Sequence, residues 1–485
     1  MKSLNKKIGM GMFWALLEVI VSRGGQIIFT IFLAALLTPG AFGLVAIVAV
    51  IFELSNVMVN AGFAQGLIRA KSVTERQLST AFWGNLALAF FLYLVIYLIS
   101  PWVANFYSQP LIEPMIQVLG LGVVINALRI VQTAILSREM NFKAQMIASG
   151  LGTFLSGVGA VVLAREGAGV WSLVFQMLAS QGIATLVQWI STRWVPAITF
   201  SKKDFVELFT FGKYLLIANV INVVFKNSYA LVIAKFFTPE VTGLYYFANR
   251  ITTMLSQQLA GVAQRASFPA LSTLQDDDVS LRIKYQQLIQ ISLFVMAPVM
   301  IFLGVLAEPV FMIFFGDKWS GAVLYVQILA LSGFLYPVHS LNINVLMVKG
   351  RSDLNLRLNL IKKALQISLL IPAIAFGPTA IVVSQLLGTV VSLLPNTYYT
   401  GKLIGYNAWM QFKDMFKPLM AGVISAVVIS LCMALPIPDT ILLLILSLLA
   451  GSGCYLGVSL LIGAEGAALL WGVVQSKLQG PGNRK

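Results

Sequence analysis

Apolar runs of about twenty residues or more recur from one end of the chain to the other, each long enough to cross the hydrocarbon of a bilayer as a helix. No other feature constrains the fold as much. Hydrocarbon offers a peptide group no outside hydrogen-bond partner, so a run placed in it must close its own bonds as helix. Only 11% of the 485 residues are charged and the mean hydropathy is +0.87, which is too little charge to cover a soluble surface of this size. No stretch is both polar enough and long enough to form a separate soluble domain. The pattern predicts an all-α polytopic membrane protein.

Turn chemistry separates the runs at "TPG", "SQP", "TPE", "FGPT" and "PIPD". The reading gives about 14 transmembrane helices, at 11–37, 40–63, 78–101, 112–136, 144–164, 168–190, 206–236, 240–263, 285–306, 320–347, 355–376, 378–400, 415–435 and 440–463. Charge tests that count independently. With the N-terminus inside, 25 of the 33 Lys and Arg fall in segments on the cytoplasmic side, Lys362 and Lys363 among them. Three, Arg165, Lys235 and Lys318, fall on the other side. A missed or surplus helix would scramble this alternation, so both termini are expected in the cytoplasm. "MKSLNKK" followed by an apolar run has the look of a signal peptide, but Glu18 and Arg23 interrupt the run and no small-residue cleavage site closes it. It is read as a retained first membrane helix.

The net charge of +15 has the same origin in cytoplasmic loops, and no basic run is interleaved with aromatics in the manner of a nucleic-acid module. Nucleic acid is therefore not an expected partner. Cys432 and Cys454 sit in late apolar runs with no CxxC, so neither a disulfide framework nor a metal site is expected. The single histidine, His339 in "YPVHSLNINV", is read as a satisfied residue of a helix interior rather than a functional one.

"LTPGAFGLVAI" at 37–47 recurs as "FTPEVTGLYYF" at 237–247, with Thr38, Pro39, Gly43 and Leu44 matching Thr238, Pro239, Gly243 and Leu244. Each copy follows the first long helix of its half. Six spans separate the halves, and an even number inserts both the same way up, as parallel repeats. The expected organisation is an N-lobe at 1–200, a C-lobe at 201–405, and two additional helices with a cytoplasmic tail at 406–485. "TPxxxGL" would mark the outer turn joining the first two helices of each lobe.

An ionisable residue deep in a span costs about 2.5–3.5 kcal/mol on insertion scales and is expected to face protein or a wet cavity. Glu18, Arg23, Glu53, Arg129, Lys213, Lys226 and Arg250 are in this position. Glu18, Ser22, Gln26 and Thr30 recur every four residues on one helix face, Asn219, Asn222 and Lys226 share another, and Tyr246, Asn249, Arg250, Thr253 and Gln257 a third. These stripes predict a basic central cavity. Arg23, Arg129, Lys226 and Arg250 would bind an anion there, with Glu18, Gln26, Glu53, Asn219, Asn222 and Asn249 as polar or ion-coupling groups. The competing readings are snorkelling for Lys213 and Arg129, and a structural ion pair of Arg23 with Glu18 or Glu53. Arginine's planar fork suits phosphate. A negative cell interior also drives anions outward by roughly 2.3 kcal/mol per charge per 100 mV.

Catalytic signatures are missing. The sequence contains no Walker A pattern, GxSxG or HExxH, and Asp276, Asp277 and Asp278 are read as a solvated turn rather than a metal cluster. The longest outer loop is expected around "EPVFMIFFGDKWSG". The chain is not expected to be an enzyme, and no cofactor is expected.

"LLTPGAFGLVAI", "LSTAFWGNL", "REMNFK", "SFPALSTLQDDDVSLR" and "FFGDKWSGAVLYVQILA", in this order over most of residues 1–365, resemble a known family. It is the polysaccharide transporters of the multidrug/oligosaccharidyl-lipid/polysaccharide (MOP) exporter superfamily, the Wzx-type flippases, in the branch containing the colanic acid exporters. The resemblance implies two six-helix lobes with two extra helices, working by alternating access in a bacterial inner membrane. It implies an undecaprenyl-pyrophosphate-linked oligosaccharide as substrate, flipped from the cytoplasmic to the periplasmic leaflet. Membrane lipids and polysaccharide polymerase machinery are the other implied partners. It also implies cationic N-lobe residues, which Arg23 and Arg129 match; Lys226 and Arg250 rest on spacing alone. The alternatives are a drug/cation antiporter of the same superfamily, a polymerase or glycosyltransferase, and a non-transporting scaffold. Coupling to H+ or Na+ through Glu18 or Glu53 stands beside passive, potential-driven flipping. Trp171, Trp189 and Trp194 read as interfacial anchors, or alternatively as sugar platforms.

Overall fold

The computed structural model describes the backbone of residues 2–478 apart from 61, 71 and 439. The side chains of 2–9, 11–13, 15–16, 211, 213–215, 262, 265–266, 269–270 and 472–478 lie outside the described set, and Lys213 is among them. The described residues form eighteen α-helices and no strand. Thirteen segments are long and apolar enough to cross a membrane. They correspond to the expected spans with one exception. The segment expected at 240–263 lies in a continuous helix, Pro239–Ser272, whose Asn249, Arg250, Gln257, Gln258 and Gln264 make it too polar to count with the others.

Contacts divide the chain into two compact units, residues 1–243 and 244–485. The first contains α1 (Lys2–Leu36), α2 (Pro39–Asn60), α3 (Phe63–Arg69), α4 (Glu75–Tyr107), α5 (Ile112–Arg138), α6 (Phe142–Arg165), α7 (Val170–Thr192) and α8 (Lys202–Phe236). Small residues let these helices approach closely, as membrane helices must when no hydrophobic effect drives them together. A Cβ at Gly157 of α6 would fall 2.2 Å from the Phe29 ring of α1, and one at Gly152 would fall 2.7 Å from the Ser180 carbonyl of α7. Thr74 caps α4 in a capping box with Gln77, and the buried Asp204 of α8 accepts from Arg76 Nε at 3.1 Å, tying α4 to α8.

The "TPxxxGL" copies meet within this first unit. Pro39 opens α2 and Pro239 opens α9 (Pro239–Ser272), where a missing N–H costs nothing. Their first turns cross backbone to backbone. A Cβ at Gly43 would fall 1.9 Å from the Pro239 carbonyl oxygen, and one at Gly243 would fall 1.7 Å from the Pro39 carbonyl oxygen. The contact is reciprocal and leaves no room for any side chain.

The second unit is built around α10 (Asp278–Val305), α11 (Ala307–Phe315) and α12 (Ser320–Val348). They are followed by α13 (Ser352–Ala373), α14 (Pro378–Val391), α15 (Leu393–Ile404), α16 (Ala408–Met433), α17 (Thr440–Leu461) and α18 (Glu465–Leu478). α10 packs on both α12 and α16 through fully buried Tyr285, Leu293, Ala297 and Met300. Tyr285 donates to Asn342 Oδ1, which also accepts from Thr400 at 2.8 Å, while Asn342 Nδ2 donates to Gln411 at 3.1 Å, so the polar groups in this core are mutually satisfied. One sequence expectation changes here. The segment expected as the longest outer loop contains α11 and a 3-10 turn, because its aromatics bury themselves: Trp319 is fully buried with its ring 4.4 Å from that of Phe247. The span expected at 378–400 is present as one membrane-length segment, Pro378–Ile404, whose helical hydrogen bonding is interrupted next to Ser392. Pro395 has no N–H and crowds the carbonyl four residues earlier.

Replacing Gly243 by Ala is expected to lower stability by at least about 1–3 kcal/mol, since backbone must move to admit the methyl group. Gly182→Ala, at a helix position with open space around it, is expected to be neutral or mildly stabilising. Thermal unfolding of the two purified variants checks this; equal melting temperatures would refute the crossing.

Candidate functional site

Two of the membrane-embedded charges of the first unit form an ion pair. Lys226 of α8 donates to Glu53 Oε1 of α2 at 2.9 Å, and Asn227 donates to Glu53 Oε2 at 3.1 Å. The pair is partly open, with the Lys226 side chain 61% exposed and that of Glu53 38%. Glu18 of α1 lies beside Ser149 and within electrostatic reach of Arg129 of α5, whose guanidinium also donates to Asn126 Oδ1 at 3.3 Å. Arg23 pairs with neither Glu18 nor Glu53; it is exposed on α1. Gln26 is half-buried, while Asn219 and Asn222 lie exposed on α8. Two of the three tryptophans named as alternative sugar platforms have structural partners: Trp189 Nε1 donates to the Leu128 carbonyl at 2.8 Å and Trp194 Nε1 to Glu75 at 2.7 Å.

In the second unit, Arg250 of α9 donates to Tyr246 Oη at 3.2 Å and lies over the same ring, 6.0 Å from its centre. Among the described residues it has no carboxylate partner. Asn249 is held on α14, where Gln385 Nε2 donates to Asn249 Oδ1 at 3.3 Å and Gln385 Oε1 accepts from Tyr245 at 2.7 Å. Beside them a cavity of about 230 Å³ opens among α9, α12, α13 and α14, with Ser392 at the helix break in its wall. His339 lines it with both ring nitrogens engaged. Nδ1 accepts from Asn396 Nδ2, so Nε2 carries the hydrogen and donates to the Thr389 carbonyl at 3.1 Å. It is a satisfied helix-interior residue, and it is also part of a cavity wall.

Sequence reasoning missed this cavity and its one lysine. Lys362 counts with the cytoplasmic charges in the sequence reading although the span expected at 355–376 contains it; α13, starting at Ser352, puts it midway along a membrane-length helix. The signal was present, since Lys362 and Gln366 are spaced i, i+4 on one helix face. The acidic triplet does structural work: Asp277 caps α10 by accepting from the Val279 and Ser280 amides, which, with the Ser280 side chain foremost, hold its carboxyl below the usual range. Asp278 pairs with Lys349 at 2.5 Å.

Fold and charges together define a polytopic helical membrane protein with cationic side chains inside its spans. The chain belongs to the polysaccharide biosynthesis protein family, whose profile matches residues 32–324. It is 26% identical to the lipopolysaccharide biosynthesis protein WzxC of Escherichia coli K12 over 77% of this chain and 76% of that one. It is 25% identical to the succinoglycan biosynthesis transport protein ExoT of Rhizobium meliloti over 69% of this chain and 67% of that one. In fold it is similar to the lipid II flippase MurJ in an inward closed conformation, with a TM-score of 0.73 at 14% identity, covering 93% of this chain and 98% of that one.

Glu53→Gln leaves Lys226 without its counter-ion and is expected to cost on the order of 1 kcal/mol. The exchanged pair, Glu53→Lys with Lys226→Glu, is expected to recover most of the loss. Melting curves at low and high salt check both; a single variant as stable as wild type would make the pair incidental.

Proposed function

We propose that this protein flips an undecaprenyl-pyrophosphate-linked oligosaccharide, a polysaccharide repeat unit, from the cytoplasmic to the periplasmic leaflet of a bacterial inner membrane. The observation that carries the reading is the family match over residues 32–324, joined to a MurJ-like fold that extends over nearly the whole chain. In this reading residues 1–200 and 201–405 act as lobes that alternate access, residues 406–485 add two helices, and both termini are cytoplasmic. The lysine and arginine asymmetry supports that orientation. Arg23, Arg129, Lys226 and Arg250 meet the pyrophosphate; Arg23 and Arg250 are the better anion ligands, because no carboxylate neutralises either one among the described residues. The sequence carries no Walker A pattern, and the relatives named above include a biosynthesis transport protein. A cation antiporter would need an available carboxylate. Glu53 is bound to Lys226 and Glu18 lies near Arg129, so both weigh against that alternative.

Flipping of a pyrophosphate-linked oligosaccharide lipid by protein in liposomes is expected for wild type and to fall about tenfold or more in Arg250→Ala with Lys226→Ala. Unchanged flipping in the folded double variant would make both residues structural. Wild-type protein that exports cationic dyes and flips no lipid would favour the antiporter.

A further inference from the structure

We infer that the cavity among α9, α12, α13 and α14 is a second anion site, for a phosphoryl group held by Lys362. The inference does not depend on the flippase reading, because it rests on hydrogen bonds the cavity wall leaves unmade. None of the lining residues is acidic, and Lys362 has no hydrogen-bond or ion-pair partner among the described residues. An ammonium midway along a membrane helix is costly without an acceptor. The hydroxyls of Ser332 and Ser392, both in the same wall, are buried with no partner.

The other lining groups are largely occupied. Thr252, Thr253 and Ser256 donate to carbonyls of their own helix, Gln385 serves Tyr245 and Asn249, and the neutral ring of His339 has spent both nitrogens. What remains is the ammonium of Lys362, the hydroxyls of Ser332, Ser392 and Tyr336, and the side-chain amide of Gln366. A tetrahedral oxyanion supplies several strong acceptors at once and neutralises the lysine. The volume of about 230 Å³ accommodates such an ion with part of its water. The same donor set discriminates against a metal cation, which would need carboxylates that the wall lacks. The phosphoryl group has two possible sources, free inorganic phosphate or the head of a pyrophosphorylated lipid.

The test is calorimetric titration of the full-length protein, in phosphate-free detergent, with inorganic phosphate and with a short-chain prenyl pyrophosphate. Phosphate is expected to bind wild type, to bind Lys362→Met about tenfold or more weakly, and to bind Lys363→Met as it binds wild type. Lys363 is next in sequence and does not line the cavity. Absence of phosphate binding in wild type, or unchanged affinity in Lys362→Met, overturns the inference. If Lys362→Met does not fold, Ser332→Ala with Ser392→Ala carries the test: a loss of about threefold or more supports the site and an unchanged affinity overturns it. Prenyl pyrophosphate that competes with phosphate at this site identifies the lipid head as a source. Phosphate binding without competition identifies the free ion. Lys362-dependent phosphate binding by a protein that flips no lipid removes the functional reading and leaves the site standing.

Discussion

Every peptide group in hydrocarbon must find its partner within the protein, and this demand governs the rest of the molecule. It makes helix the default over almost all of the described chain and turns proline and glycine into the main means of variation. Pro39 and Pro239 open helices where the missing donor is harmless. Pro395 interrupts one, and the interruption at Ser392 becomes part of a cavity wall. Function in such a protein gathers where the helical rule is relaxed or where a charge is held against the solvent's preference.

The embedded charges divide into two kinds. Glu53 and Lys226 form a neutral pair that joins helices distant in sequence, and Glu18 lies within electrostatic reach of Arg129. Arg23, Arg250 and Lys362 have no carboxylate among the described residues. Neutral pairs stabilise one arrangement of helices, whereas unpaired cations remain available to an incoming anion. A transporter of an anionic lipid needs both, and the distinction depends on contacts across helices.

That dependence sets how much could be read in advance. Spans were legible because twenty apolar residues have few alternatives, and the break points followed from Pro and Gly. The helix at 239–272 kept its expected position despite its polarity, whereas Trp319 and its aromatic neighbours concealed a helix within an expected loop. For the site, spacing identified Asn249 and Arg250 on one helix face. It could not identify Gln385 as the partner of Asn249, 136 residues away, or Glu53 as that of Lys226, 173 residues away. Lys362 was hidden because it follows a basic loop closely enough to count with that loop's charges, and only contacts across helices show that it lines a cavity.

The crossing of Gly43 and Gly243 gives the repeated motif a structural meaning. Each copy is the surroundings of the other: the carbonyl of Pro39 is the ceiling over Gly243, and the carbonyl of Pro239 is the ceiling over Gly43. A side chain gained at either glycine would collide with the backbone of the other copy. Each of the two glycines is therefore held to glycine by the backbone of the other copy, and that part of the likeness between residues 38–44 and 238–244 is a condition that each imposes on the other.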